Sequence, residues 1–260
     1  MTQPASQPDG SAPLSRRDLL CLGAASLGVP LLASSMTPLA AADRPAQVDP
    51  EATPLTDFPR WEGETYPGHP DPRARTVNNL MFIGLALHNF AALNSGRLPA
   101  AAIREGGKPL LSWRVAILPF LEQFALYERF HLDETWDSPH NLELLKEMPR
   151  TYAAVAHKDT PPSSTHYQGI VGPGSLFDGQ EGARLADVTS EASPTLMIVE
   201  AADPVPWTRP EDLPYDEGKP SPRLAGQFEG GSYAVFADGG PRFLSKEVTP
   251  EALRALIRRG

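Results

Sequence analysis

The chain has 260 residues, enough for one large domain or two small ones. Hydrophobic residues at 41% and charged residues at 21% exclude wholesale disorder and a multi-span membrane protein. A net charge of −9 argues against nucleic-acid binding, which needs a Lys/Arg surplus, and 29 prolines with 21 glycines predict short elements joined by many loops.

The first informative segment is Ser15-Arg16-Arg17-Asp18-Leu19-Leu20, a twin-arginine motif followed by an apolar run from Leu19 to about Ala33. Gly23, Gly28 and Pro30 interrupt that run, and it is shorter than the roughly 20 residues of a membrane span. Small residues follow and end in Ala40-Ala41-Ala42, an A-x-A cleavage pattern before Asp43. Residues 1–42 are therefore expected to be a twin-arginine signal peptide that directs the protein to the periplasm or cell surface, leaving no membrane span after cleavage; the alternative is an uncleaved signal anchor. The segment removes Arg16 and Arg17 together with Asp9 and Asp18, so the mature charge stays at −9. It also removes Cys21, the only cysteine, which excludes disulfides, cysteine nucleophiles and thiolate metal sites from the mature chain.

Residues 43–72 are rich in Pro, Asp and Glu with scattered aromatics (Phe58, Trp61, Tyr66) and read as an extended lead-in that lies along the domain. Helical periodicity begins near Arg73, where Val77, Leu80, Met81, Gly84, Leu85 and His88 fall at i, i+3, i+4 spacing. Gly96 and Pro99 close this helix near residue 95. A second helical stretch covers about 112–130 and is split by Pro119, with its second part starting near Phe120. Ser138-Pro139 predicts an N-cap and a short helix to about Glu147.

Beyond Pro149 the pattern changes to strands, at Thr151–Val155, His166–Val171 and Thr195–Glu200. Residues 202–231 read as a long ordered loop containing Trp207. Tyr233–Ala237 and Arg242–Leu244 flank Asp238-Gly239, the strongest hairpin signal in the chain. Thr249-Pro250 caps a last helix through Arg258. Helices first and strands afterwards predict an α+β domain over 73–260, with a helix packed across an antiparallel sheet of four or five strands.

Several ordered motifs carry a resemblance. Asn78-Asn79-Leu80-Met81-Phe82-Ile83-Gly84-Leu85-Ala86-Leu87-His88-Asn89-Phe90 is similar to the helix "NNLKQIGLALHNY" of the bacterial domain-of-unknown-function family 1559. Leu111–Val115, Leu118–Gln123, Trp136–Asn141, Val205–Thr208 and Phe236–Gly239 add to the match in order. The resemblance implies a pilin-like α+β domain of uncertain role, exposed outside the cytoplasm. Three features depart from the pattern. A twin-arginine signal stands in place of the prepilin helix that packs such subunits into filaments. Val77 and Ala154 stand where the family carries cysteines. Phe228 takes the His position of the family's C-terminal H-x9-DG motif.

Of residues able to carry chemistry, Trp136-Asp137-Ser138-Pro139-His140 is the densest cluster. Asp137 and His140 could form an acid/base pair, or Ser138 or Asp137 could simply cap a helix with His140 packed on Trp136. His88 sits on an apolar helix face, and the other histidines lack ligand spacing, so no metal site or cofactor is expected. Asp203, Glu211, Asp212, Asp216 and Glu217 share one loop that could hold Ca²⁺ without EF-hand spacing, and Asp238 reads as a turn residue or a ligand. No G-x-S-x-G elbow and no Gly-rich phosphate loop occur. Trp113, Trp136 and Trp207 each lie in a motif shared with the family. They are either core anchors or, beside charged neighbours, a sugar-binding surface. The reading is a monomeric, non-catalytic exported domain acting in binding or assembly at the cell envelope through an unknown protein or glycan. The rivals are a periplasmic glycan- or solute-binding module and a hydrolase using Asp137 and His140.

Overall fold

The computed structural model describes residues 71–188 and 194–259. The signal residues Arg16, Arg17, Ala40 and Ala42 and most of the lead-in lie outside the described residues.

Helix α1 spans Pro72–Leu93; Asp71 caps it by accepting from the Arg73 N–H, and Pro72 occupies the first turn, where its missing N–H costs nothing. It ends on Asn94, with Ser95 and Gly96 at positive φ (55° and 77°) and the Gly96 N–H donating to Ala91 O at 2.8 Å. By length and composition α1 could cross a membrane, but its face carrying Leu80, Ile83, Ala86 and Leu87 is sealed in the protein interior.

Strands β1 (Ala102–Glu105) and β2 (Lys108–Ser112) form a hairpin that the sequence reading missed. Gly106 and Gly107 both have positive φ, the requirement of a tight two-residue turn. The stretch read as two helical pieces is three: α2 (Trp113–Ala116), a 3-10 turn at Leu118–Leu121 holding Pro119, and α3 (Phe124–Tyr127). Glu122 at φ 60° breaks the chain between the last two. Helix α4 (Pro139–Leu144) starts where Ser138–Pro139 predicts, capped by Ser138 Oγ accepting from the Asn141 N–H, and continues as a 3-10 turn to Glu147.

The strand expected at Thr151–Val155 is instead a 3-10 turn, Arg150–Tyr152. Tyr152 is fully buried between two tryptophans and donates its hydroxyl to Arg114 O at 2.8 Å, which sets the local backbone. The main sheet comprises β3 (Ser164–Val171), β4 (Leu196–Pro206), β5 (Leu213–Pro214), β6 (Gly231–Phe236) and β7 (Pro241–Ser245), in the order β5-β3-β4-β6-β7. All pairs are antiparallel except β3 with β5. Strand β4 runs six residues past the expected end, because Val205 and Pro206 pair with Thr165 and Ser164 beyond a bulge. Part of the expected 202–231 loop is thus strand.

Alternation along the strands divides the core. Tyr167, Ile198, Tyr233 and Val235 face α1, whereas Ile170, Val199, Ala234 and Phe236 face the other way. There they meet Leu253, Leu256 and Ile257 of α5 (Pro250–Ile257), which Thr249 caps as expected. The architecture is α+β, with the N-terminal helix on one face of a largely antiparallel sheet and short helices and loops around it.

Candidate functional site

Two of the residues singled out by sequence belong to an aromatic spine. Trp113 and Trp207 are 0% exposed. Phe177, Trp113, Tyr152, Trp207 and Phe130 contact one another in series, with ring centroids 5.7–6.5 Å apart. Trp113 Nε1 donates to Asp212 Oδ1 at 3.0 Å and Trp207 Nε1 to Leu145 O at 2.9 Å, so both indoles are satisfied inside the protein. Neither can stack on a ligand, and the three-tryptophan binding surface is reduced to Trp136. Of the two alternatives left open by the sequence, Trp113 and Trp207 take that of core anchors, and the charged neighbour of Trp113, Arg114, is itself buried.

Arg114 lies flat against Trp113, 4.8 Å from the ring centroid, and donates to Tyr167 O (2.9 Å), Ser112 Oγ (2.7 Å) and Asp212 Oδ1 (2.8 Å). The Gly169 N–H adds a third donor to that carboxylate oxygen at 2.7 Å. Burial pushes the Asp212 carboxyl up, opposed by Arg114, Trp113 and Gly169. This enclosed ion pair ties the segment after β4 to α2 and β3.

The 203–217 carboxylates do not converge on a cation position. Asp203 pairs with Arg223 (3.2 Å), Glu211 with Arg209 (2.8 Å), Asp212 with Arg114, Asp216 with Lys219 (3.3 Å) and Glu217 with Arg258 (2.7 Å). Among the described residues no group of three or more His, Cys, Asp or Glu side chains gathers as a metal site.

The Asp238-Gly239 turn is a docking point for α1. A β-carbon on Gly84 would stand 2.5 Å from the Gly239 carbonyl oxygen, and His88 Nε2 bonds Ala237 O at 2.9 Å. The Gly84 and His88 positions of the helix motif therefore meet the DG motif directly. Asp238 accepts from the Gly240 N–H and bridges Arg242; against partial burial these hold its carboxyl below the usual range. Phe228 packs edge-on against Tyr233 (5.6 Å) and under Arg73 (5.2 Å). Near Val77 and Ala154, Asn79 Nδ2 donates to Ala153 O at 3.3 Å.

In Trp136–Asn141 the capping alternative is the one observed, through Ser138, and His140 packs on His131 instead of Trp136. His140 Nε2 bonds Arg129 O at 2.7 Å and its ring stacks on His131 at 3.6 Å; no hydrogen bond or ion pair joins it to Asp137 among the described residues. The residue missed by sequence reasoning is Asn141, fully buried. Its Oδ1 accepts from the His131 N–H (3.0 Å) and its Nδ2 donates to the carbonyls of His131, Glu134 and Thr135. An Asn in the first turn of a Pro-initiated helix was the available signal.

That hub presents Trp136 and Asp137 to solvent. Trp136 is partly exposed in an open cleft of about 580 Å³, lined also by Lys108, Thr135, Arg209 and Glu211. The Arg209 guanidinium lies 5.5 Å from the indole centroid and is held by Glu211. The cleft combines a flat aromatic face with two cations and two carboxylates, a set able to seat a polar ring or chain but offering no assembled nucleophile–base pair.

A second cleft of about 470 Å³ is lined by His157, Lys158, Asp159, Thr160, His166 and Pro204, with the two imidazoles stacked at 3.5 Å. Burial, with His166 beside it, pushes His157 down to about 4. Burial also lowers His166, against the Ala201 carbonyl and Asp203.

No curated protein and no solved structure matches the chain. A family match does cover the segment that supplies α1, the β1–β2 hairpin, the spine's Trp113 and Tyr152, and the Trp136–Asn141 hub. Over residues 73–169 the chain matches the family described as "Protein of unknown function (DUF1559)", in agreement with the resemblance carried by its motifs.

Proposed function

We propose that the protein is an exported, non-catalytic binding domain of the cell envelope and that its contact surface is the Trp136 cleft. One observation carries the reading: of the three motif tryptophans only Trp136 reaches solvent, and it does so in an open cleft edged by Lys108, Asp137, Arg209 and Glu211. An indole face beside hydrogen-bonding charges suits a sugar ring, which offers C–H faces to the aromatic and hydroxyls to the carboxylates. The two cations favour a glycan or solute that also bears a carboxylate. Export rests on Arg16-Arg17 and the Ala40-Ala41-Ala42 cleavage pattern.

The test is calorimetric titration of the purified protein with a panel of neutral and acidic envelope sugars, peptidoglycan fragments among them. Trp136→Ala should weaken binding at least tenfold, about 1.4 kcal/mol, while the melting temperature moves by no more than about 2 °C. Binding that is indifferent to Trp136→Ala, or a panel in which nothing binds, refutes the cleft assignment. Export is tested separately: Arg16→Lys with Arg17→Lys should leave the protein in the cytoplasmic fraction.

A further inference from the structure

Four of the five large hydrophobic side chains exposed among the described residues lie on α1. Met81, Phe82, Leu85 and Leu93 are 40%, 39%, 54% and 42% exposed, on the side opposite Leu80, Ile83 and Leu87. From Met81 to Leu93 the exposed positions are Met81, Phe82, Leu85, Asn89, Ala92 and Leu93, a face without a single charge. A contiguous apolar surface of this kind marks a contact.

The chain preceding α1 has the composition and the reach to supply that contact. Leu55, Phe58, Trp61 and Tyr66 alternate there with Pro54, Pro59 and Pro67, which disfavour a helix. Pro67-Gly68 carries proline and glycine in the order of the two central positions of a type II turn, immediately before the cap residue Asp71. We propose that residues 55–66 turn back at Pro67-Gly68 and lie along α1, with Trp61 over Met81, Phe82 and Leu85.

The lengths agree. An extended chain advances about 3.2 Å per residue, so Trp61 stands about 16 Å and Leu55 about 35 Å back from Tyr66. A helix rises 1.5 Å per residue, which puts Phe82 about 15 Å and Leu93 about 32 Å beyond Pro72. The lead-in thereby covers, within one chain, the face that a second copy would otherwise bury, and it keeps the exported protein monomeric. The inference does not involve the Trp136 cleft, so either can fail without the other.

The test uses the full chain with Cys21→Ser, carrying Trp61→Cys and Leu85→Cys, under mild oxidation. An intrachain disulfide should form at least tenfold faster than in a control pairing Trp61→Cys with Glu143→Cys, a position exposed on α4. The protein should stay monomeric by light scattering. Trp61→Cys with Met81→Cys repeats the measurement should Leu85→Cys disturb the fold. An interchain disulfide within a dimer overturns the proposal in favour of a second copy. Co-flotation with lipid vesicles that Leu85→Ser abolishes overturns it in favour of a membrane. Disulfide formation no faster than in the control overturns it outright.

Discussion

Glu200 makes the stability of this fold depend on pH in a direction opposite to that of an ordinary surface carboxylate. It sits on β4 opposite Tyr167 of β3, fully buried, with Oε2 accepting from the Tyr233 N–H at 3.2 Å and Oε1 without a partner. The Tyr167 hydroxyl is likewise buried, beside Thr76 and Asn79. Burial pushes the Glu200 carboxyl up to about 8, with the Tyr233 N–H opposing. In the unfolded chain a glutamate titrates near 4.3. The folded state therefore holds the proton more tightly; the favourable contribution is complete below about pH 4.3 and is lost as pH rises towards 8, at about 1.4 kcal/mol per pH unit. Between pH 5 and 7.5 that amounts to about 3 kcal/mol. Glu200→Gln keeps the shape and the bond to Tyr233 and removes the titration, while all other groups titrate alike in both proteins. At 2–4 °C per kcal/mol, the variant's melting temperature should gain on the natural protein by about 6–12 °C from pH 5 to pH 7.5. Paired thermal melts by circular dichroism across that range measure this. A difference that stays constant with pH refutes the assignment of a neutral Glu200.

Two further substitutions test the ties that hold the loops and the helix. Asp212→Asn strands the buried Arg114 guanidinium and should cost about 3–5 kcal/mol, a fall of roughly 6–20 °C in melting temperature. Combining Arg114→Met with Asp212→Leu should recover much of the loss; a fall below about 3 °C for Asp212→Asn would mean the pair is not enclosed as described. Gly84→Ala sets an overpacking cost of about 1–3 kcal/mol against about 1 kcal/mol of helix propensity. A net loss of up to about 2 kcal/mol in denaturant unfolding is expected, because the contact at 2.5 Å is with the Gly239 backbone and not with a flexible side chain. A stabilised variant would show that α1 and the DG turn do not meet.

Elements specified by neighbouring residues were legible in the sequence. The periodicity of α1, the Ser138-Pro139 and Thr249-Pro250 caps and the Asp238-Gly239 hairpin all rest on contacts within a few positions. The misreadings share a different cause. Tyr152 looked like a strand residue because its real determinants, Trp113 and Trp207, are distant in sequence. The outer half of β4 hid behind Pro204 and Pro206, which read as loop, although Pro206 sits beyond a bulge and pairs with Ser164 at the start of β3. Arg114 advertised an exposed neighbourhood for Trp113, since no local pattern reveals a counter-ion 98 residues away. At the candidate site the capping alternative holds, with Ser138 as the cap, but His140 turns onto His131 and not onto Trp136, a partner that no local pattern names, while Asp137 is left in the cleft.

The motifs that carry the resemblance thus resolve into structural joints. Gly84 and His88 meet the DG turn, Trp113 and Arg114 enclose Asp212, Asn141 gathers three carbonyls, and Trp207 completes the aromatic spine. Residues spent on such joints are hidden or fully bonded, and they specify a scaffold more than a ligand. Specific recognition then has to come from side chains that the joints present without consuming. Trp136 is the one motif tryptophan in that position, and Lys108, Arg209 and Glu211 around it lie outside the motifs altogether. This division predicts where related chains should diverge in function: at the rim of the Trp136 cleft, on the β1–β2 hairpin and the segment after Trp207, while the joints beneath stay fixed by packing.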